Sequence, residues 1–111
     1  MSQAKEVLEL HRNAMLLYTG ALELEHSGKV VDGFARKILA FMFEKKAAML
    51  LVDAFDKEPT RSILFRSAAT IGVQLGFLLE AKALIAHGLA GNPPGEIKNE
   101  LEQLLPQKQL S

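Results

Sequence analysis

The chain has 111 residues, 49% of them hydrophobic, which is the size of one domain with apolar surface enough for one core. It has no cysteine, which excludes a disulfide framework, thiolate metal ligation and a thiol nucleophile. Thirteen basic and thirteen acidic side chains give a formal net charge of zero, so no global field favours nucleic acid or an anionic membrane. The longest run without charge, Ser67 to Leu79, falls short of the roughly 20 apolar residues of a spanning helix, and no membrane association is expected. The N-terminus enters a charged helical pattern instead of an apolar signal core, so a cytoplasmic protein is expected.

From Ser2, read as an N-cap, the residues Val7, Leu10, Ala14, Leu17, Ala21 and Leu24 recur at steps of three and four, one stripe of a first helix. Leu8, Met15, Tyr18 and Leu22 widen that stripe beyond what one packing neighbour requires. Ser27-Gly28 supplies the stop. A second helix is read from about Val30 to Phe55, with Val31, Phe34, Ile38, Phe41 or Met42, Met49, Val52 and Phe55 on its main face. It has a second apolar face, Leu39, Phe43, Ala47, Leu50 and Ala54, as befits a helix central in a bundle or at an oligomer interface. Pro59 closes the segment, and its length leaves room for a kink between Phe43 and Lys46. Thr60 is read as the N-cap of a third helix to about Leu75, Gly76 as its break, and Leu78 to Ala90 as a fourth. After Gly91-Asn92-Pro93-Pro94-Gly95, a fifth helix puts Ile97, Leu101 and Leu104 on one side; Pro106 ends it before a polar tail. No segment alternates with period two between hairpin signals, so no strand is expected.

Helices in antiparallel pairs, with glycine between and proline after, call for a repeat test. Residues 62 to 95 fit the 34-residue tetratricopeptide pattern without a gap: Phe65 at the large aromatic position, Ala69 at the small one and Leu75-Gly76 at the turn. Ala81, Ile85, Gly88 and Pro93 complete it. Small residues let helices cross closely while Phe65 and Ile85 fill the remaining space. A generic helical hairpin with ordinary core residues satisfies the same pattern. The stretch Glu58 to Ala69, with Glu80-Ala81 and Gly91 to Ile97, resembles a group of small bacterial tetratricopeptide-like proteins without an assigned activity; the resemblance implies a helical-hairpin fold and no substrate. In the N-terminal half, Gly28 with Asp32-Gly33 matches Gly76 with Glu80-Ala81 at an offset of 48, which is preferred over an offset of 34 because Gly28 supplies a turn. The expected architecture is all-α: stacked antiparallel hairpins over 1–57 and 58–95, a C-terminal capping helix over 96–105 and a tail over 106–111.

Candidate chemistry is sparse. Glu23-Leu-Glu25-His26 has one Glu-x-x-His, but a di-metal bundle needs a second pair and further inward carboxylates, so no metal site is expected. His11 and His87 are read as structural, and no nucleophile elbow or phosphate loop is found. Neither enzyme activity nor a cofactor is expected. Arg36 and Lys45 lie about 180° apart on a helix, which breaks a basic stripe.

The tetratricopeptide resemblance implies that Ile63, Arg66, Thr70 and Gln74 line a concave face, where Arg66 with Thr70 is able to grip a carboxylate of a protein or peptide partner. The competing reading is an intramolecular salt bridge from Arg66 or Arg61 to Glu58 or an acid of the first helix. The surplus apolar faces, Leu8, Met15, Leu22, Leu39, Phe43 and Leu50, point to self-association as a homodimer. The expectation is a non-enzymatic interaction module. Two alternatives stand beside it: a regulatory protein holding an apolar ligand against Met15, Met42 and Phe43, and a nucleic-acid accessory.

Overall fold

In a computed structural model, residues 2–105 are described, and Pro106 with the tail 107–111 lies outside them. Among the described residues the chain is all-α, with helices α1 (Gln3–His26), α2 (Val30–Leu50), α3 (Thr60–Leu75), α4 (Leu78–Ala90) and α5 (Gly95–Gln103). The helices α1 and α2 form one antiparallel hairpin and α3 and α4 a second. The face of α2 packs on α3, and α5 lies across α3 and α4. The result is a slab of 42 × 41 × 21 Å.

Both hairpin turns obey the same local physics. Gly28 and Gly76 take φ of 83° and 79°, a left-handed conformation that a Cβ disfavours. Lys29 N donates to Leu24 O, and Phe77 N donates to Gly72 O, each pair 48 residues from its counterpart. The offset continues into the core. Ala14 and Ser62, Ala21 and Ala69, Gly33 and Ala81, Ala40 and Gly88 are pairs at that spacing, and all eight are buried. Small residues therefore recur wherever two helices of a hairpin cross, and Phe65, Leu84 and Ile85 fill the space between them.

The capping helix is seated by the same device. A Cβ on Gly88 would meet the methyl groups of Leu101 at 3.0 and 3.2 Å, so the missing side chain makes the notch that Leu101 enters. Ile97 and Leu101 are buried, as the apolar spacing of this helix predicts.

Two expectations on helix ends change. The second helix is continuous through Phe43 to Lys46 but stops at Leu50 instead of Phe55, and Phe55–Lys57 form a single 3-10 turn. Side-chain donors meet the backbone here: Gln3 Nε2 donates to the carbonyl of Leu50, the last helical residue, at 2.9 Å, and Arg61 Nη2 to that of Val52, two residues beyond, at 2.9 Å. A carbonyl so engaged no longer needs a further helical turn. At α3, Thr60 is the first helical residue and not the cap; the Glu58 carboxylate accepts from Ser62 N at 2.9 Å and does the capping.

Candidate functional site

Three surfaces bear on function. The first is the row of α3 residues expected to meet a partner. Arg66 Nη1 donates to Glu100 Oε2 of α5 at 2.8 Å, and both side chains are partly exposed. Thr70 Oγ1 donates to Arg66 O at 2.7 Å, back into its own helix, and Tyr18 of α1 donates to Gln74 Oε1 at 2.8 Å. Ile63 is half-buried against the core. Arg66, Thr70 and Gln74 are thus engaged within the chain, and Tyr18–Gln74 and Arg66–Glu100 do the same job one repeat apart: Tyr18 and Arg66 are 48 residues apart, and each ties an odd-numbered helix to the next. The anticipated intramolecular pair exists at Arg61, whose partner is Glu58; Arg66 also pairs within the chain, but with Glu100 of α5 and not with Glu58 or an acid of α1.

Arg61 is 1% exposed and joins three elements. Its guanidinium donates to Val52 O and His87 O, faces Glu58 Oε2 at 3.6 Å, and lies over the rings of Phe55 and Phe65 at 4.8 and 5.1 Å. A Cβ on Gly91 would come within 2.5 Å of both Arg61 Nη1 and Glu58 Oε2, so only glycine leaves room for the pair. This cluster is structural: it ties the segment just after α2 and the last turn of α4 to α3.

The second surface is a groove of about 540 Å³ between the start of α1, the connection from Leu51 to Thr60, and α3. Val7, Leu8, Leu51 and Leu64 form apolar walls, and His11 stands at one end. Behind it, His11 Nδ1 lies 2.9 Å from both carboxylate oxygens of Glu44, a side chain with 0% exposure. Glu44 was hidden in the sequence inside Glu44-Lys45-Lys46, which reads as a solvated run. The available signal was its register, four, seven and eleven residues after Ala40, Lys37 and Gly33, all of which are buried. Lys37 is likewise buried and donates to Glu25 at 3.1 Å.

The third surface is the N-terminal end of the stack. Phe41 meets Phe77, the residue before α4, with ring centroids 5.6 Å apart, and Phe43, two residues on, projects about 200° away. Leu39, Phe43 and Leu50 therefore share the side of α2 remote from the second hairpin. On α1, Leu10, Leu17 and Leu24 sit about 60° to one side of the buried Val7, Ala14 and Ala21, whereas Leu8, Met15 and Leu22 sit about 100° to the other. Leu8 lines the large groove and Met15 a shallow one of about 220 Å³ beside Arg66. The six residues expected to cover one interface thus lie on two different surfaces. Met15, Met42 and Phe43 do not share a cavity either, since Met42 is 59% exposed on another face of α2.

No group of three or more metal-ligating side chains occurs among the described residues, and none of their helices is long and apolar enough to cross a membrane. Comparison with protein-family models, with curated proteins and with solved structures gave no match.

Proposed function

We propose that the chain is a non-enzymatic, tetratricopeptide-like interaction module that assembles with a second copy of itself through the open end of its stack. The observation that carries this reading is the asymmetry of the two ends. At one end α5 covers the second hairpin, with Leu101 in the Gly88 notch. At the other, nothing among the described residues covers Leu39, 47% exposed, with half-buried Phe43 and Leu50 beside it and half-buried Leu10, Leu17 and Leu24 on α1. A stack of helical repeats needs both ends covered.

Charge favours a second copy as the cover. Arg36 lies over Gly20, where a Cβ would meet its Cδ and Nη1 at 3.2 Å. Glu9 lies on the same side of α1, eleven residues or about 16 Å before Gly20. A two-fold axis between them sets each Glu9 against the Arg36 of the other copy, while the leucines and Phe43 meet in the middle. Zero net charge raises no barrier to this association.

Sedimentation equilibrium at micromolar concentration tests the reading. A mass about twice 12.2 kDa, falling toward one chain in Phe43→Glu with helicity unchanged, is the expected result. A single-chain mass across that range overturns it, as does a dimer indifferent to Phe43→Glu.

A further inference from the structure

The groove beside His11 is a separate matter from the stack end. We propose that it binds a neutral apolar molecule carrying a hydroxyl group, such as an alkylphenol, held by a hydrogen bond to His11 Nε2.

Glu44 positions the imidazole. A carboxylate only accepts hydrogen bonds, so the nitrogen 2.9 Å from both of its oxygens, Nδ1, carries a proton. Glu44 is fully buried and has His11 as its hydrogen-bond partner among the described residues, so turning the ring away strands a buried carboxylate. The ring is therefore fixed with Nε2 directed away from Glu44, and His11 is one of the residues that border the groove. A neutral ring offers a lone pair at Nε2 and an imidazolium offers an N–H; a hydroxyl answers either, because it both donates and accepts.

The remaining charges at the groove are matched. Asp56 lies 3.8 Å from Lys57, and Glu58 is engaged by Arg61 and by the amides of Ser62 and Asn92. Gln3 spends its amide on Leu50 O. An ionic head group thus finds no buried charge without a partner in the groove wall, while an apolar body finds Val7, Leu8, Leu51 and Leu64. A volume of about 540 Å³ lies within the range of small-molecule sites. An apolar peptide would use the same walls but has no need of a buried carboxylate behind the histidine.

The test is a methyl-NMR titration of the full chain with 4-propylphenol and with propylbenzene. The expected result is saturable shifts at Val7, Leu8, Leu51 and Leu64, with propylbenzene about fivefold to tenfold weaker although it is the more apolar probe. In the double variant His11→Phe/Glu44→Leu, which removes both partners at once, the phenol loses its preference. The proposal is overturned if neither probe shifts these methyls, if propylbenzene binds as tightly as the phenol, or if the preference survives in the double variant. The wild-type comparison stands whatever the variant's stability. Binding that persists in Phe43→Glu separates this site from the dimer.

Discussion

Arg61 and Arg66 sit five residues apart on one helix and do different physical work. Arg61 is enclosed, with two backbone carbonyls and two aromatic faces around its guanidinium. Removing it strands those carbonyls and takes the positive charge from beside the Glu58 carboxylate, which keeps its bonds from Ser62 N and Asn92 N. Arg61→Met should therefore cost about 3 to 5 kcal/mol in urea unfolding. Arg61→Lys should recover only part of this, because an ammonium cannot reproduce the planar fork. Arg66 pairs with Glu100 in partial contact with solvent, where such pairs contribute about 0 to 1 kcal/mol. Arg66→Ala should accordingly leave stability within about 1 kcal/mol of the wild type, with helicity by circular dichroism unchanged. A loss as large as that of Arg61 would mean that α5 depends on this one contact.

Helices set 48 residues apart bury small residues at matching positions. Ala81 is the counterpart of Gly33, and both are buried just after the turn, where a Cβ on Gly33 would meet Ala21 O at 2.9 Å and one on Gly72 would meet Ala81 Cβ at 3.5 Å. Ala81 has no exposed surface, so added methylenes have nowhere to go. Ala81→Leu should destabilise by about 1 to 3 kcal/mol, read as a lower thermal midpoint. An unchanged midpoint would show that the backbones separate without cost, contrary to close packing at that position.

For the whole molecule the question is which of its surfaces is covered in solution. Burying the stack end about a two-fold axis makes the Glu9–Arg36 contact occur twice, so changing one residue alters both contacts. Arg36→Glu or Glu9→Lys alone should raise the dimer dissociation constant about tenfold or more, and the double exchange should restore it. Because Arg36 is exposed, added salt should shrink the effect of each single change. Analytical ultracentrifugation of the four proteins at low and high salt checks both statements. Independence of the two changes would place Glu9 and Arg36 outside any shared interface.

The sequence by itself determined the five helices, their hairpin pairing and the 48-residue repeat. Those features rest on forces acting within a few residues: left-handed glycine at 28 and 76, proline at 59 and 93–94, and apolar periodicity along each helix. Only the tertiary structure decided where α2 stops, because the donors that take the carbonyls of Leu50 and Val52 come from Gln3 and Arg61 on other helices. It alone joined His11 to Glu44 across 33 residues and Tyr18 to Gln74 across 56. It also divided Leu8, Met15 and Leu22 from Leu39, Phe43 and Leu50. Periodicity along a helix tells which residues share a face. Which faces meet, and which polar side chains find each other inside, depends on where helices cross, and that is fixed by the packing of all of them together.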